Sequence, residues 1–331
     1  MAYTTIDNPE LYFQVEAYTG NGSSQSLTLD GSADMQPDLV WIKNRDDTHQ
    51  HVLSDSNRGT GKELRTDNSS IETTNSDITA FNTDGFSVSS NGQTSANTQK
   101  FIAYCWKESA TAGFDIVPWT GNQSARTISH SLSAVPDFLI TKGRTYPSDW
   151  SVGHEAFDYT NDDFIYLSGT GAKSTSSLMF NGTAPTSSVF SIGTGNNVNK
   201  SSETYIAYLW KGKTGYSKFG TYTSNGNADG SFTYLGFKPA FVIHKRIDSS
   251  GDWRSWNNKS NPYNPMDHSI FPNTTDTEYD TSNVQVDFVA NGIKWRQADT
   301  TNNNPSGGTF IYMAWAEAPF VNSEGVPCNA R

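Results

Sequence analysis

The stretch Phe101–Lys107, "FIAYCWK", has a near copy at Tyr205–Lys211, "YIAYLWK", and a looser relative at Phe310–Ala316, "FIYMAWA". The tryptophans of the three, Trp106, Trp210 and Trp315, lie 104 and 105 residues apart. Two further markers keep the same order and nearly the same period. "PDLVWIKNR", "PDFLITKGR" and "PAFVIHKRI" begin at Pro37, Pro136 and Pro239, 99 and 103 residues apart. Upstream, "YTGNG" at Tyr18, "WTGNQ" at Trp119 and "YTSNG" at Tyr222 precede those prolines by 19, 17 and 17 residues. A period of about 100 residues is the size of a domain, whereas solenoid repeats are shorter and cannot stand alone. The chain divides into residues 1–12, read as an N-terminal docking arm, and three homologous units at 13–109, 110–212 and 213–331, the last with a C-terminal tail.

Within each unit the heptapeptide reads as the closing core strand. The residue before its tryptophan changes from Cys105 to Leu209 to Ala314 but stays apolar, as a buried slot requires. The proline-headed runs are β-branched and aromatic, of strand length, and too continuous to face water on one side. Between them lie turn signals such as "TGNG", "NTDG" and "SNGNADG". "FNTDGFSV" (81–88) and "SNGQ" (90–93) carry hairpin chemistry, with glycine supplying positive φ. No segment of helix length keeps a 3.6 period, and no heptad run encodes a shaft. The expected fold is all-β: three tandem antiparallel β-sandwich domains of jelly-roll or lectin-like type. The links at 108–113 and 212–215 are short, so neighbouring domains should touch.

Composition narrows the function. Of 331 residues, 34% are hydrophobic, 13% aromatic and 17% charged, and the net charge is −11. That acidity and the lack of a basic run argue against a nucleic-acid partner. No apolar stretch approaches the roughly 20 residues of a membrane span. The opening "MAYTTIDNPELYFQ" lacks the basic and apolar regions of a signal peptide. Cys105 and Cys328 form no metal or redox spacing.

Catalytic chemistry finds little support. The acid clusters Asp46–Asp47, Asp162–Asp163 and Glu278/Asp280 do not recur between units, and no nucleophile elbow exists. His49 and His51 have the spacing to share a metal from one strand but lack a third ligand. "NGNADG" (225–230) begins like an EF-hand loop, but Gly236 stands where the bidentate glutamate belongs; only a shallower Ca²⁺ loop stays open. No catalytic residue, metal set or cofactor is assigned. Two recurring features remain as binding candidates. Lys43, Lys142 and Lys245 end the proline-headed strands, beside Arg45, Arg144 and Arg246. Each calls for a fixed partner, either a carboxylate or aromatic face within the chain or a ligand. The pairs Asp149–Trp150 and Asp252–Trp253 offer rings for stacking on a sugar or for packing, and packing has the stronger physical ground because aromatics supply core area.

Taken together, "YTGNG…QPDLVWIKNR…SDSNRGTGKEL…FNTDGFSV…FIAYCWK", "GYSKFGTYTSNGNADG", "KPAFVIHKRIDSSGDW" and "PFVNSEGVPCNAR" resemble a family of virion structural proteins of tailed bacteriophages of marine bacteria and cyanobacteria. The likeness covers nearly the whole chain and is looser in the middle unit. It implies a structural role, as a tail-fibre-like protein or capsid appendage, in a virion assembled in the host cytoplasm. It implies other virion proteins as partners, a homo-oligomer, commonly a trimer, and host-surface glycan as a ligand. It supplies no catalytic residues, so the chain is read as a non-enzyme. The alternatives are a lectin-like carbohydrate-binding protein outside a virion and, less favoured, a glycan depolymerase.

Overall fold

The computed structural model describes residues 3–296 and 304–329. The chain is all-β, and its helices among these residues are single turns. Each unit builds a large antiparallel sheet in one order: opening strand, closing strand, proline-headed strand, short strand. In the first unit these are Phe13–Thr19, Lys100–Trp106, Leu39–Asn44 and Val52–Asp55. In the second they are Phe114–Thr120, Thr204–Trp210, Phe138–Gly143 and Ser151–His154, extended by Asp163–Tyr166 and Ser174–Thr175. In the third they are Ser217–Thr223, Thr309–Pro319, Phe237–Arg246 and Arg254–Asn257. The register repeats as well, with Leu39, Phe138 and Phe241 opposite Trp106, Trp210 and Trp315.

The heptapeptide is therefore a central strand, paired on both edges. Its alternation sorts side chains to two faces. Phe101, Ala103 and Cys105 point into a core private to the first unit, closed by a small sheet of Gln25–Leu27, Phe86–Val88 and Ile78–Phe81. Tyr205, Ala207 and Leu209, and Phe310, Tyr312 and Ala314, do the same in the other units. Ile102, Tyr104 and Trp106 point the opposite way. They enter one cluster together with Ile206, Tyr208 and Trp210 and with Ile311, Met313 and Trp315.

This shared cluster goes beyond the contact expected between neighbouring units. Each large sheet gives one face to its own unit and the other to a common centre. There the tryptophans meet edge to face: Trp106–Trp210 at 6.1 Å, Trp106–Trp315 at 5.4 Å and Trp210–Trp315 at 5.9 Å between ring centroids. Such T-shaped pairs match ring edge to ring face and add to the burial itself. The ruler that measures the repeat in sequence is thus the hub of the fold.

Of the segment read as a docking arm, Thr4, Ile6 and Pro9 are buried against the body, while Tyr3, Thr5, Asp7 and Leu11 are exposed. Ile6 is 3% exposed and belongs to the central cluster. Thr4 donates its hydroxyl to the Thr214 carbonyl at 3.0 Å. Asp7 accepts from the Ser323 amide at 2.7 Å, and Asn8 caps the turn Pro9–Leu11. Residues 1 and 2 of the arm, and 330–331 of the tail, lie outside the described residues. One hairpin expectation holds: Asn82 bonds the Gly85 carbonyl, and Gly85 sits at φ 97°. The other differs, because Asn91 in "SNGQ" caps a helical turn, Gly92–Ser95. No helix among the described residues is long and apolar enough to cross a membrane.

Candidate functional site

The residues singled out in the sequence gather at the seams between units. Trp150 and Trp253 are fully buried. Trp150 of the second unit donates its indole N–H to the Arg65 carbonyl of the first at 2.7 Å. Trp253 of the third donates to the Tyr166 carbonyl of the second at 2.9 Å. The strand register places His51 at the same position in the first unit. Its Nδ1 accepts from the Trp41 indole at 2.9 Å, which leaves the proton on Nε2. Nε2 donates to the carbonyls of Phe271 and Thr274 in the third unit, at 3.0 and 3.2 Å. Burial, then the nearby Lys43 charge, pulls the His51 pKa down to about 3, so the ring is neutral. Second grips first, third grips second and first grips third, so the contacts form a closed ring.

Sugar stacking on Trp150 or Trp253 is excluded by this placement, since neither ring has an open face. Asp149 accepts from the Ser168 hydroxyl at 3.2 Å and Asp252 from the Asn273 amide at 2.9 Å, each bracing the loop behind its tryptophan.

Two of the three lysines bond across the same seams. Lys142 donates to the carbonyls of Ser148 at 2.8 Å and, across the seam, Ser69 at 3.2 Å. Lys245 reaches Arg246 at 2.7 Å and Thr170 of the second unit at 3.4 Å. Lys43 reaches Asn44 at 2.7 Å and Asp47 at 3.2 Å. Main-chain carbonyls take the hydrogen bonds of all three; of the faces expected, Lys142 has the Trp150 ring, 5.9 Å from its centroid. Burial lowers the pKa of Lys43 to about 8, Lys142 to about 7 and Lys245 to about 8. Asp149 and Asp252 oppose that shift for Lys142 and Lys245. Two of the neighbouring arginines cross seams in bidentate pairs: Arg45 with Glu278 at 2.9 and 2.7 Å, Arg144 with Glu72 at 2.8 and 3.1 Å. Arg246 pairs within its own unit, with Asp248 at 2.9 Å.

The acid clusters hold structure too. Asp46 accepts from the Lys100 amide at 2.7 Å and Asp47 from the Thr48 amide at 2.7 Å. Asp163 pairs with Lys173, and Asp162 accepts from the Gly182 amide. His49 lies 3.9 Å from Asp47, while His51 is sealed in its seam, so the two share no metal. In "NGNADG" the side chains of Asn225 and Asn227 accept from amides within the loop, and Asp229 pairs with Lys294 at 2.7 Å.

One recess stands apart from these struts, and sequence reasoning missed it. It has a volume of about 580 Å³ and lies where the second unit meets the third. Asp137 and Glu155 line one side, Lys218, Phe219 and Tyr234 the other, with Tyr3 and Phe320 at the margins. Tyr234 is 54% exposed. Lys218 bonds the Tyr234 carbonyl at 2.7 Å and lies 5.4 Å from the ring centroid. Burial lowers the Lys218 pKa, against the pull of Glu155. Burial, then the Asp137 charge, raises that of Glu155. Asp137 is already committed to the Lys211 ammonium at 2.5 Å and the Gly212 amide at 2.7 Å. A ring face beside a carboxylate and an ammonium suits a polyhydroxylated ligand. No repeated motif marks these residues: Asp137 recurs as Asp38 in the first unit but is Ala240 in the third.

All-β architecture, threefold internal repetition and a closed ring define the class. The profile of a family described as a domain of unknown function, DUF7483, matches residues 8–319 and so runs through all three units. The chain belongs to that family. No curated protein and no solved structure matches it.

Proposed function

We propose that this chain is a non-catalytic structural protein of a tailed-phage virion surface, acting in host adsorption or particle stabilisation. The resemblance quoted above supports the virion setting. The observation that carries the structural reading is the ring itself. Trp150, Trp253, Lys142, Lys245, Arg45 and Arg144, which stand out in the sequence, are spent on joining units, while Lys43, Arg246 and the aspartate pairs bond within their own. A closed body with one shared core suits a particle that must persist outside cells. Three homologous lobes in one chain also present a threefold-like surface, which suits a threefold-symmetric mount such as the end of a trimeric fibre. Antibody labelling of intact particles tests this reading. Label at the tail or on the capsid is expected, and absence of the protein from purified virions overturns it.

The recess favours a second reading, recognition of host-surface glycan. Tyr234 supplies the stacking face, with Glu155 and Lys218 as hydrogen-bonding partners. A glycan array on the purified chain is expected to show binding that Tyr234→Ala abolishes. An array with no binder, or binding indifferent to Tyr234→Ala, removes this reading and leaves the structural one.

A further inference from the structure

We propose that Asp267, His268 and Asp280 form a site for a divalent transition-metal cation of the zinc type. His268 and Asp280 face each other across the short strands His268–Ser269 and Tyr279–Asp280. His268 Nε2 lies 3.7 Å from Asp267 Oδ1 and 3.6 Å from Asp280 Oδ2. Both gaps are too long for hydrogen bonds. They are close to the separation of roughly 3.3 Å between two ligands of one tetrahedral zinc, each about 2.0 Å from the metal. All three donor atoms fall within 4.8 Å of one another.

Two carboxylates alone are an ordinary solvated acid pair; the imidazole is what aims this site. Its Nδ1 is 2.9 Å from Glu278 Oε2, and Glu278 is itself clamped by Arg45 of the first unit. With Nδ1–H held by that carboxylate, Nε2 is left as the ligand atom, 3.7 and 3.6 Å from the Asp267 and Asp280 oxygens. A histidine ligand held by a carboxylate behind it is the arrangement that fixes ring orientation and raises ligand basicity at metal centres. The charges also fit: two carboxylates match the dication, while Arg45 answers Glu278. An imidazole nitrogen selects zinc-like ions over calcium or magnesium. Asp280 is 68% exposed, so water can complete the coordination.

Bound metal would tie together the two strands that flank Phe271, Thr274 and Glu278, the groups the third unit offers to His51 and Arg45. The site would therefore tighten the seam that closes the ring.

Calorimetric titration of the full chain with zinc chloride at about pH 7.5 tests the proposal. One saturable site per chain is expected, weakened roughly tenfold or more by His268→Gln and by Asp280→Asn. His49→Ala, which removes a half-buried histidine beside another acid, should leave binding intact. Without zinc, Asp280→Asn should unfold at the wild-type denaturant midpoint; with zinc, only the wild type should rise. No saturable binding, equal binding by the His268 and Asp280 variants, or loss of binding in His49→Ala overturns the assignment.

Discussion

Trp150 reaches out of its own unit and donates its indole N–H to the main-chain carbonyl of Arg65 at 2.7 Å. The bond is buried and is repeated in kind by Trp253 and, with an imidazole, by His51. Trp150→Phe keeps an aromatic ring but leaves the Arg65 carbonyl without this donor. The expected loss is about 1–3 kcal/mol, the cost of stranding a buried polar group. It should appear as a lower urea midpoint with an unchanged slope. A midpoint equal to wild type contradicts the seam role.

Glu72 joins the first unit to the second by accepting from both Arg58 and Arg144. Burial works to raise its pKa, but the hydrogen bond and charge of Arg144, together with Arg58, outweigh burial and lower it. A depressed folded pKa means this stabilisation is present above the unfolded value of about 4.3 and fades as pH falls through the folded one. Glu72→Gln should cost about 1–3 kcal/mol at neutral pH, because the fully buried Arg58 loses one charge partner while keeping Asp55. The gap between wild type and variant should narrow in acid. Denaturant titrations at neutral pH and at about pH 3 check this.

The buried lysines act in the opposite pH range. Lys142 has a folded pKa of about 7, against about 10.4 for an unfolded lysine. Between those values the unfolded chain holds the extra proton, so this group makes stability rise with pH, by up to about 1.4 kcal/mol per unit. Below the folded pKa its penalty is fully present. Lys142→Met should flatten the rise in urea midpoint between about pH 7 and pH 9. Parallel profiles for the two proteins contradict the assignment.

The sequence made the period legible because repeat duplication preserved what the core could not change. Trp106, Trp210 and Trp315 stayed in register, and the slot beside them varied only in size. Strand identity was legible for the same reason: in the structure His244 holds the register position of Ile42 and Thr141. The sharing of one core was not legible, because a strand buried against its own unit and one buried against two neighbours have the same apolar pattern. The ring of seam bonds was hidden because His51 replaces tryptophan in one unit. The acceptors, moreover, are main-chain carbonyls, which leave no mark in side-chain identity. The recess was hidden because Asp137, Glu155, Lys218 and Tyr234 come from two units and share no motif. The contact of residues 3–12 with the body was hidden because a single apolar residue, Ile6, carries it into the central cluster.

The claim that all else rests on is that three units share one core. Differential scanning calorimetry of the full chain beside Trp210→Ala tests it most directly. One transition is predicted, with calorimetric and van't Hoff enthalpies in agreement, and the variant should shift that whole transition by about 3–5 kcal/mol. Separable transitions, with Trp210→Ala moving only one of them, would contradict the shared core and restore three independent domains.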